Sequence, residues 1–153
     1  MKVAVGSDHA GFEIKARVLE WLERLGHEPE DFGTHSAESC DYPVFAEAVG
    51  HAVARGEAQR GVLICGTGIG MSMAANKVHG IRAAVCHGIE AAELSRRHND
   101  ANVLCLGARI NTPGEIESIV RHWFDAEFEG GRHARRIARM MAIEEAECAT
   151  AGR

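Results

Sequence analysis

The sequence lacks any run of 18 apolar residues, so its 153 residues contain no segment typical of a membrane-spanning helix. Residues 1–6 also lack the long apolar stretch and small-residue cleavage site of a signal peptide. We therefore expect a cytoplasmic protein with no membrane partner. The net charge of −5 at pH 7 argues against general nucleic-acid binding, so we expect no nucleic-acid partner either.

Cysteine pairs and metal-binding motifs are also missing. The five cysteines are an odd number, and no two of them have CxxC spacing. The nine histidines form no HExxH motif and no zinc knuckle with the cysteines. Disulfide scaffolds and structural zinc sites are therefore poor interpretations, and we expect a reduced, metal-free protein.

The apolar residues that are present, 46% of the chain, alternate between strand-like and helix-like segments. We expect strands at residues 2–6, 27–32, 61–65, 81–86 and 103–106. We expect helices at residues 12–25, 43–55, 71–77, 89–97 and 113–124, and a last helix from about residue 132. Pro29 limits the second strand to a sheet edge, and Thr112 to Glu115 form a capping box. The pattern predicts one domain over residues 1–153, a three-layer α/β/α sandwich with a five-stranded parallel sheet and a C-terminal helix.

Polar residues follow three of the predicted strands. Ser7, Asp8 and His9 follow the first strand, residues 65–70 end and follow the third, and Arg109 follows the fifth. In parallel sheets, ligands bind beyond the carboxyl ends of the strands, where the strand order reverses. If the first and third strands are neighbours, the first two groups share one crevice.

A glycine-rich loop, residues 66–70, lies between the third strand and the next helix. It matches neither G-x-G-x-x-G nor a P-loop, because no lysine follows it. Three alternating glycines let backbone N–H groups converge on an anion. The alternative is a turn that uses glycine only for close packing, and we favour the anion cradle.

Cys65 immediately precedes this loop, whereas Cys86 and Cys105 fit ordinary positions in the core. Neighbouring N–H groups and a helix N-terminus favour the thiolate form of a cysteine. Such a thiolate acts as a nucleophile or as a base, and the local sequence leaves both roles open.

Charged residues elsewhere have ordinary and functional interpretations. Asp8 is a helix-cap candidate with His9 at the surface, and the cations before Asn99 suit a helix C-terminus. Arg132 and Arg136, however, lie one turn apart at a helix N-terminus, where cations are unfavourable unless they bind an anion. Together, the predicted anion cradle, the candidate base Cys65 and this arginine pair indicate that the ligand is a small phosphorylated metabolite.

Several ordered segments resemble one known family: residues 6–12, 41–43, 64–70, 74–77, 94–104 and 129–133. They are similar to ribose-5-phosphate isomerases of the B type, whose family includes allose- and galactose-phosphate isomerases. The likeness extends to about residue 143, and the tail from residue 144 carries none of it. It implies a Rossmann-like α/β/α sandwich and an enzyme of the pentose phosphate pathway. That enzyme interconverts ribose 5-phosphate and ribulose 5-phosphate through an enediolate, with no metal and no cofactor.

The resemblance also implies roles for individual residues. Cys65 corresponds to the base that moves a proton between C1 and C2, Thr67 to a proton relay, and His98 to the acid that opens the furanose ring. The enediolate oxygens would meet the N–H groups of Gly66, Thr67, Gly68, Ile69 and Gly70. Asp8 and Asn99 would position sugar hydroxyls. The phosphate would be bound by His9, Arg132 and Arg136. Arg109 would add a further binding contact. Some relatives replace the cysteine with glycine and use a glutamate after the loop, but here those positions are Cys65 and Met71.

Other functions remain open at this level. The chain could isomerise a six-carbon sugar phosphate (allose 6-phosphate or galactose 6-phosphate), bind a sugar phosphate without catalysis, or use Cys65 in thiol redox chemistry. We expect a homodimer in which both chains complete each active site, with higher assembly left open. The last helix carries an apolar run, Ile137, Ala138, Met140, Met141 and Ile143, that suits a neighbouring chain. The alternative is a helix folded back on its own domain.

Overall fold

The computed structural model describes residues 1–151 and is built around one five-stranded sheet. Every neighbouring strand pair is parallel, and the strand order is β2-β1-β3-β5-β4. The strands are β1 (Lys2–Ser7), β2 (Glu28–Asp31), β3 (Arg60–Cys65), β4 (Ala83–Val85) and β5 (Val103–Gly107). Of the predicted unmatched tail, residues 152–153 lie outside the described part of the chain.

Helices alternate with the strands along the chain, as the sequence pattern predicts, and two helices follow the last strand. They are α1 (Phe12–Arg24), α2 (Tyr42–Ala54), α3 (Ile69–Ala75), α4 (Ile89–Asn99), α5 (Pro113–Asp125) and α6 (Arg132–Ala151), with a short 3-10 turn at His9–Gly11. The predicted α/β/α class, the parallel sheet and the C-terminal helix are confirmed. The capping box before α5 is present, with both the Thr112 and the Glu115 hydrogen bonds. No helix among residues 1–151 combines the length and the apolar character needed to cross a membrane.

Most elements differ from their predicted bounds by one or two residues, and β4 and α3 each begin two residues away from the predicted start. The strand expected at residues 81–86 is shortened to β4, because the Arg82 N–H donates to the Asn102 side chain (2.8 Å) before the ladder begins. The helix expected from residue 71 begins two residues earlier, at Ile69, directly after Gly68 turns the chain with φ +78°. Pro29 lies on the edge strand β2, as predicted.

Two apolar layers cover the sheet, because successive strand residues point to opposite faces. On one face, Val62 and Leu104 pack with the buried side chains of α1, α4 and α5. On the other face, Leu63 and Cys105 pack with those of α2 and α3. The helices that follow β1 and β3 therefore lie on opposite faces, and the strand order reverses between these neighbouring strands. A ligand site is expected at their carboxyl ends.

Helix α6 crosses the opposite edge of the sheet, where the strands begin. Its Glu144 carboxylate accepts a hydrogen bond from the Gly80 N–H at 3.0 Å, shortly before β4. The loop before α6 is hydrogen-bonded to the end of α4, because the Glu129 N–H donates to the Arg97 carbonyl at 3.0 Å. The helix thus contacts its own chain, while Ile143 is 63% exposed and Arg136 is also exposed.

Candidate functional site

The polar residues that follow β1 and those that follow β3 meet at the carboxyl edge of the sheet. β1 and β3 are neighbours, with Ser7 opposite Ile64, and the Asp8 N–H donates to the Ile64 carbonyl at 3.1 Å. The condition for a shared crevice is therefore met: the loop after β1 adjoins the loop that begins at Cys65.

Asp8 and His9 are held by backbone groups on this edge. Asp8 is 6% exposed, and its Oδ1 accepts hydrogen bonds from the N–H groups of Ala10 (2.9 Å) and Gly11 (3.2 Å). The capping interpretation of Asp8 is therefore correct. The Nδ1 atom of His9 accepts the Cys40 N–H at 3.2 Å, so the neutral ring carries its proton on Nε2. That tautomer leaves Nε2 as a hydrogen-bond donor toward an anion.

Cys65 ends β3 with 5% of its surface exposed. The Gly68 N–H donates to its sulfur at 3.1 Å, and a backbone donor of this kind stabilises a thiolate. Cys86 and Cys105 differ, because burial raises the pKa of Cys86 and raises the pKa of Cys105 well above its ordinary value. Burial keeps those two thiols neutral, although the Cys86 sulfur lies 3.8 Å from the Ser95 hydroxyl, whereas the Cys65 sulfur receives a backbone N–H from the loop.

The glycines of this loop allow close packing. Gly68 packs against strand β5, and a Cβ added to it would be 3.0 Å from the Leu106 carbonyl carbon. At Gly70 an added Cβ would be 2.6 Å from the Tyr42 ring. Close packing therefore explains both glycines, as the alternative interpretation holds, and the anion cradle stays a prediction. Within the loop, the Ile69 N–H already donates to the Thr67 hydroxyl at 3.2 Å.

Arg109 lies beside the same loop. Its backbone N–H donates to the Gly66 carbonyl at 2.9 Å, and its side chain passes 3.3 Å from the position of a Cβ on Gly66. The ring of His87 bonds to the Thr67 carbonyl through Nε2 at 2.6 Å. A cation and an imidazole therefore flank the loop on the side of β5.

Sequence reasoning missed Tyr42, Cys40 and His87 as neighbours of this site. Tyr42 lies in a segment that carries the family resemblance, which was the one available signal. Nothing in the local sequence connects Tyr42 to Gly70 or Cys40 to His9, since these contacts depend on how α2 and its preceding loop fold over the sheet edge.

The remaining predicted residues lie on the opposite edge. His98 and Asn99 form the last turn of α4, which ends shortly before β5 begins, and Arg132 and Arg136 begin α6. The five residues of β5 span about 13 Å from Val103 to Gly107, which is paired with Cys65. One chain therefore brings together Cys65, Asp8, His9, the loop and Arg109, but it does not bring His98 or Asn99 to them.

The residues at this opposite edge include a pair of histidines that share a carboxylate. The rings of His98 and His133 are stacked, with centroids 4.1 Å apart and planes 6° from parallel. Glu129 Oε2 lies 3.7 Å from His98 Nε2 and 3.8 Å from His133 Nε2. Desolvation, followed by the charges of His98 and Arg132, lowers the pKa of His133. Both His133 and Glu129 were missed as functional candidates, although they belong to a segment that carries the family resemblance.

These three side chains are also the group of potential metal ligands within residues 1–151, with donor atoms within 4.8 Å of one another. Imidazole lone pairs lie in the ring plane, and lone pairs in two parallel planes do not converge on one ion. The prediction of no metal is therefore kept for this cluster.

Comparison with known proteins identifies one family. Residues 3–140 match the family described as Ribose/Galactose Isomerase. The chain is 49% identical to ribose-5-phosphate isomerase B of Escherichia coli (strain K12) over 144 residues, which cover 94% of this chain and 97% of that protein.

Solved structures agree with the sequence match. A Clostridium thermocellum ribose-5-phosphate isomerase B has a TM-score of 0.95 and 50% identity, covering 96% of this chain and 99% of that one. The Mycoplasma genitalium ribose-5-phosphate isomerase B with bound ribulose 5-phosphate has a TM-score of 0.90 and 40% identity, covering 94% of this chain and 96% of that one.

Proposed function

The chain belongs to the ribose/galactose isomerase family, and from that membership we propose that it interconverts ribose 5-phosphate and ribulose 5-phosphate. The observation that carries the proposal is the Cys65 thiol, which receives the Gly68 N–H at the point where the strand order reverses. A base held at this position, beside a cation and a histidine suited to anions, fits an open-chain sugar phosphate.

The reaction is a proton transfer between two adjacent carbons. Cys65 as thiolate takes the proton from C2 of the aldose, the electrons move into an enediolate, and the thiol returns a proton to C1. Thr67, whose hydroxyl lies in the loop, carries the proton between the two oxygens. Loop N–H groups stabilise the enediolate charge, and an oxyanion donor of this kind contributes about 3–4 kcal/mol.

Substrate binding uses the predicted residues on both edges of the sheet. His9, Arg132 and Arg136 bind the phosphate, and Arg109 adds a contact beside the loop. Asp8 and Asn99 position sugar hydroxyls. His98 opens the furanose ring, because the proton transfer needs a free aldehyde.

These roles require a second copy of the chain. His98 and Cys65 lie at opposite edges of one sheet, so we propose a homodimer in which the carboxyl edge of each copy faces the amino edge of the other. A two-fold axis relates two such contacts, and each site then takes residues from both chains. Exposed apolar side chains on α3, with Ile69 at 44% and Met73 at 63%, offer surface for this contact.

A direct assay tests the activity. Purified protein with no added metal or nicotinamide is expected to convert ribose 5-phosphate to ribulose 5-phosphate, and Cys65→Ala is expected to abolish the conversion. Binding of the sugar phosphate without turnover would instead support a non-catalytic binding protein. A comparison of kcat/KM for ribose 5-phosphate and allose 6-phosphate separates the five-carbon from the six-carbon activity.

We also propose a cytoplasmic location. All five cysteines are free thiols, and three of them, Cys65, Cys86 and Cys105, are buried. A catalytic thiolate works only while it stays reduced, which supports a reducing compartment.

A further inference from the structure

The stacked histidines and Glu129 form a cluster that the proton transfer at Cys65 does not use. Gly130 and Gly131, with φ +67° and +56°, reverse the chain between Glu129 and α6. The Glu129 N–H donates a hydrogen bond to the Arg97 carbonyl at the end of α4 (3.0 Å). The His133 N–H donates to the Gly130 carbonyl (3.1 Å). The backbone therefore holds Glu129 and His133 against His98.

The two histidines are not equivalent. The side chain of His98 is 36% exposed, whereas that of His133 is 8% exposed. Desolvation and the neighbouring charges of His98, Arg132 and Arg136 lower the pKa of His133, while Glu129 opposes them. The protonated form of His133 is therefore disfavoured, and the Glu129 carboxylate also lies 3.7 Å from Nε2 of His98.

We propose that Glu129 and His133 are positioning residues that orient His98 and stabilise its protonated form as the acid for opening the sugar ring. This inference rests on the proposed function. Protonated His98 keeps the Nε2 proton that faces Glu129 and donates its Nδ1 proton to the ring oxygen. The bond between that oxygen and C1 breaks, and the C1 hydroxyl gives its proton to water as the aldehyde forms. Water then returns a proton to His98, so the step needs no further reactant.

The role predicts a defect that depends on the form of the substrate. Ribose 5-phosphate is mostly a furanose and needs ring opening. Ribulose 5-phosphate has its 5-hydroxyl blocked by phosphate, cannot close a furanose ring, and stays open-chain. Exchange of its C1 proton with solvent therefore needs Cys65 but not the His98 cluster.

The main test is Glu129→Gln, a nearly isosteric change at a side chain that is 51% exposed. We expect kcat/KM for ribose 5-phosphate to fall about tenfold or more, since general acids contribute about 10²–10⁴-fold to rates. Deuterium exchange into C1 of ribulose 5-phosphate, followed by NMR, is expected to stay near the wild-type rate. Glu127→Gln, which removes an exposed carboxylate from the same loop, is the control and is expected to leave both rates unchanged.

A second variant and a second measurement guard against a folding artefact. His133→Asn is expected to show the same split between the two rates, with its thermal midpoint measured in parallel. For both variants, ribose 5-phosphate turnover is expected to stop rising at high enzyme concentration, because spontaneous ring opening then limits the flux.

Three results would overturn the inference. The first two concern Glu129→Gln: an equal loss of both rates, or an unchanged rate with ribose 5-phosphate. A wild-type protein that neither turns over ribose 5-phosphate nor exchanges ribulose 5-phosphate would overturn the proposed function together with the inference.

Discussion

Cys65 is nearly as buried as the core thiols of the sheet but has a different polar environment. Its sulfur receives the Gly68 N–H at 3.1 Å, while Cys105 on the neighbouring strand is fully buried with its pKa raised by desolvation. The difference arises because β3 ends at Cys65, where the chain turns into the loop, whereas Cys105 lies in the middle of β5. Position along the strand therefore places the sulfur of Cys65 beside a backbone donor and leaves that of Cys105 in the apolar core.

Replacement of this sulfur by oxygen tests its role as the base. Cys65→Ser is expected to abolish proton exchange at C2 of ribose 5-phosphate, because a serine hydroxyl is far too weak a base. Substrate affinity is expected to change little, since the variant keeps the loop and the phosphate ligands. Isotope exchange by NMR and equilibrium binding measure the two effects, with Cys86→Ser as a control at another buried thiol. Exchange near the wild-type rate in Cys65→Ser would refute the assignment.

Two histidines make stability depend on pH. Desolvation lowers the pKa of His27 and of His133, with the N-terminal charge also acting on His27. The unfolded chain therefore binds more protons than the folded protein as the pH falls. Their contribution to stability is full above the ordinary histidine pKa and is lost as the pH falls below it. We expect the urea midpoint to decrease between about pH 7 and about pH 5, and His27→Gln to reduce that decrease. A midpoint that rises on acidification, or an unaltered pH slope in His27→Gln, would contradict this.

At the scale of elements, a buried cation connects α1, β2 and the loop beside β1. Lys15 of α1 is 3% exposed, and its ammonium donates to Asp31 Oδ2 at 2.7 Å and to the Thr34 carbonyl at 2.6 Å. The Thr34 N–H in turn donates to the Ser7 carbonyl at 2.7 Å. This network ties the loop after β2 to the end of β1, next to Asp8.

Loss of the counterion should therefore destabilise the fold. Asp31→Asn leaves the Lys15 ammonium buried without a negative partner, which costs about 3–5 kcal/mol when one member of a buried pair is removed. Because Asp31 is 32% exposed, we expect the lower part of that range. Urea unfolding measures the change, and Glu20→Gln, an exposed carboxylate on α1, is the matched control. If the free energy of unfolding falls by less than about 1 kcal/mol, the range of surface ion pairs, water compensates the Lys15 charge in place of the Asp31 carboxylate.

In the molecule as a whole, the candidate site is divided between two edges of the sheet. α4 runs back from the carboxyl edge, so its last turn carries His98 to the edge where β5 begins. α6 crosses that same edge and contacts Gly80 through Glu144. In the proposed dimer, a complete site depends on contact between two copies, with the exposed start of α6 available to a neighbour.

Hybrid dimers test this arrangement. Cys65→Ala and Arg136→Ala are each expected to be inactive alone. Mixing the two chains is expected to restore activity at one of the two sites of each hybrid, because one site combines the two intact residues and the other combines both defects. The mixture is dissociated, reassociated and assayed with ribose 5-phosphate, and heterodimers are counted by native mass spectrometry. Heterodimers without recovered activity would mean that Cys65 and Arg136 of each site come from one chain.

Local sequence patterns were sufficient to predict the fold class and the residues at the ends of β1 and β3. Buried parallel strands are continuous apolar runs, and helix starts depend on local capping, as at Thr112 and Glu115, so both can be predicted locally. The polar residues that directly follow a strand must lie at its carboxyl end. The positions of Cys65, Asp8 and His9 therefore follow from the order of residues along the chain.

Which residues meet across the molecule depends instead on the tertiary fold. The contact of Tyr42 with Gly70, the hydrogen bond from Cys40 to His9, and the stack of His98 on His133 each join distant segments. The same holds for the division of the site, because the direction of α4 and the path of α6 across the sheet depend on the packing of the whole chain. Periodicity and capping report interactions within a few residues, whereas these contacts arise from strand order and helix packing, which local patterns do not encode.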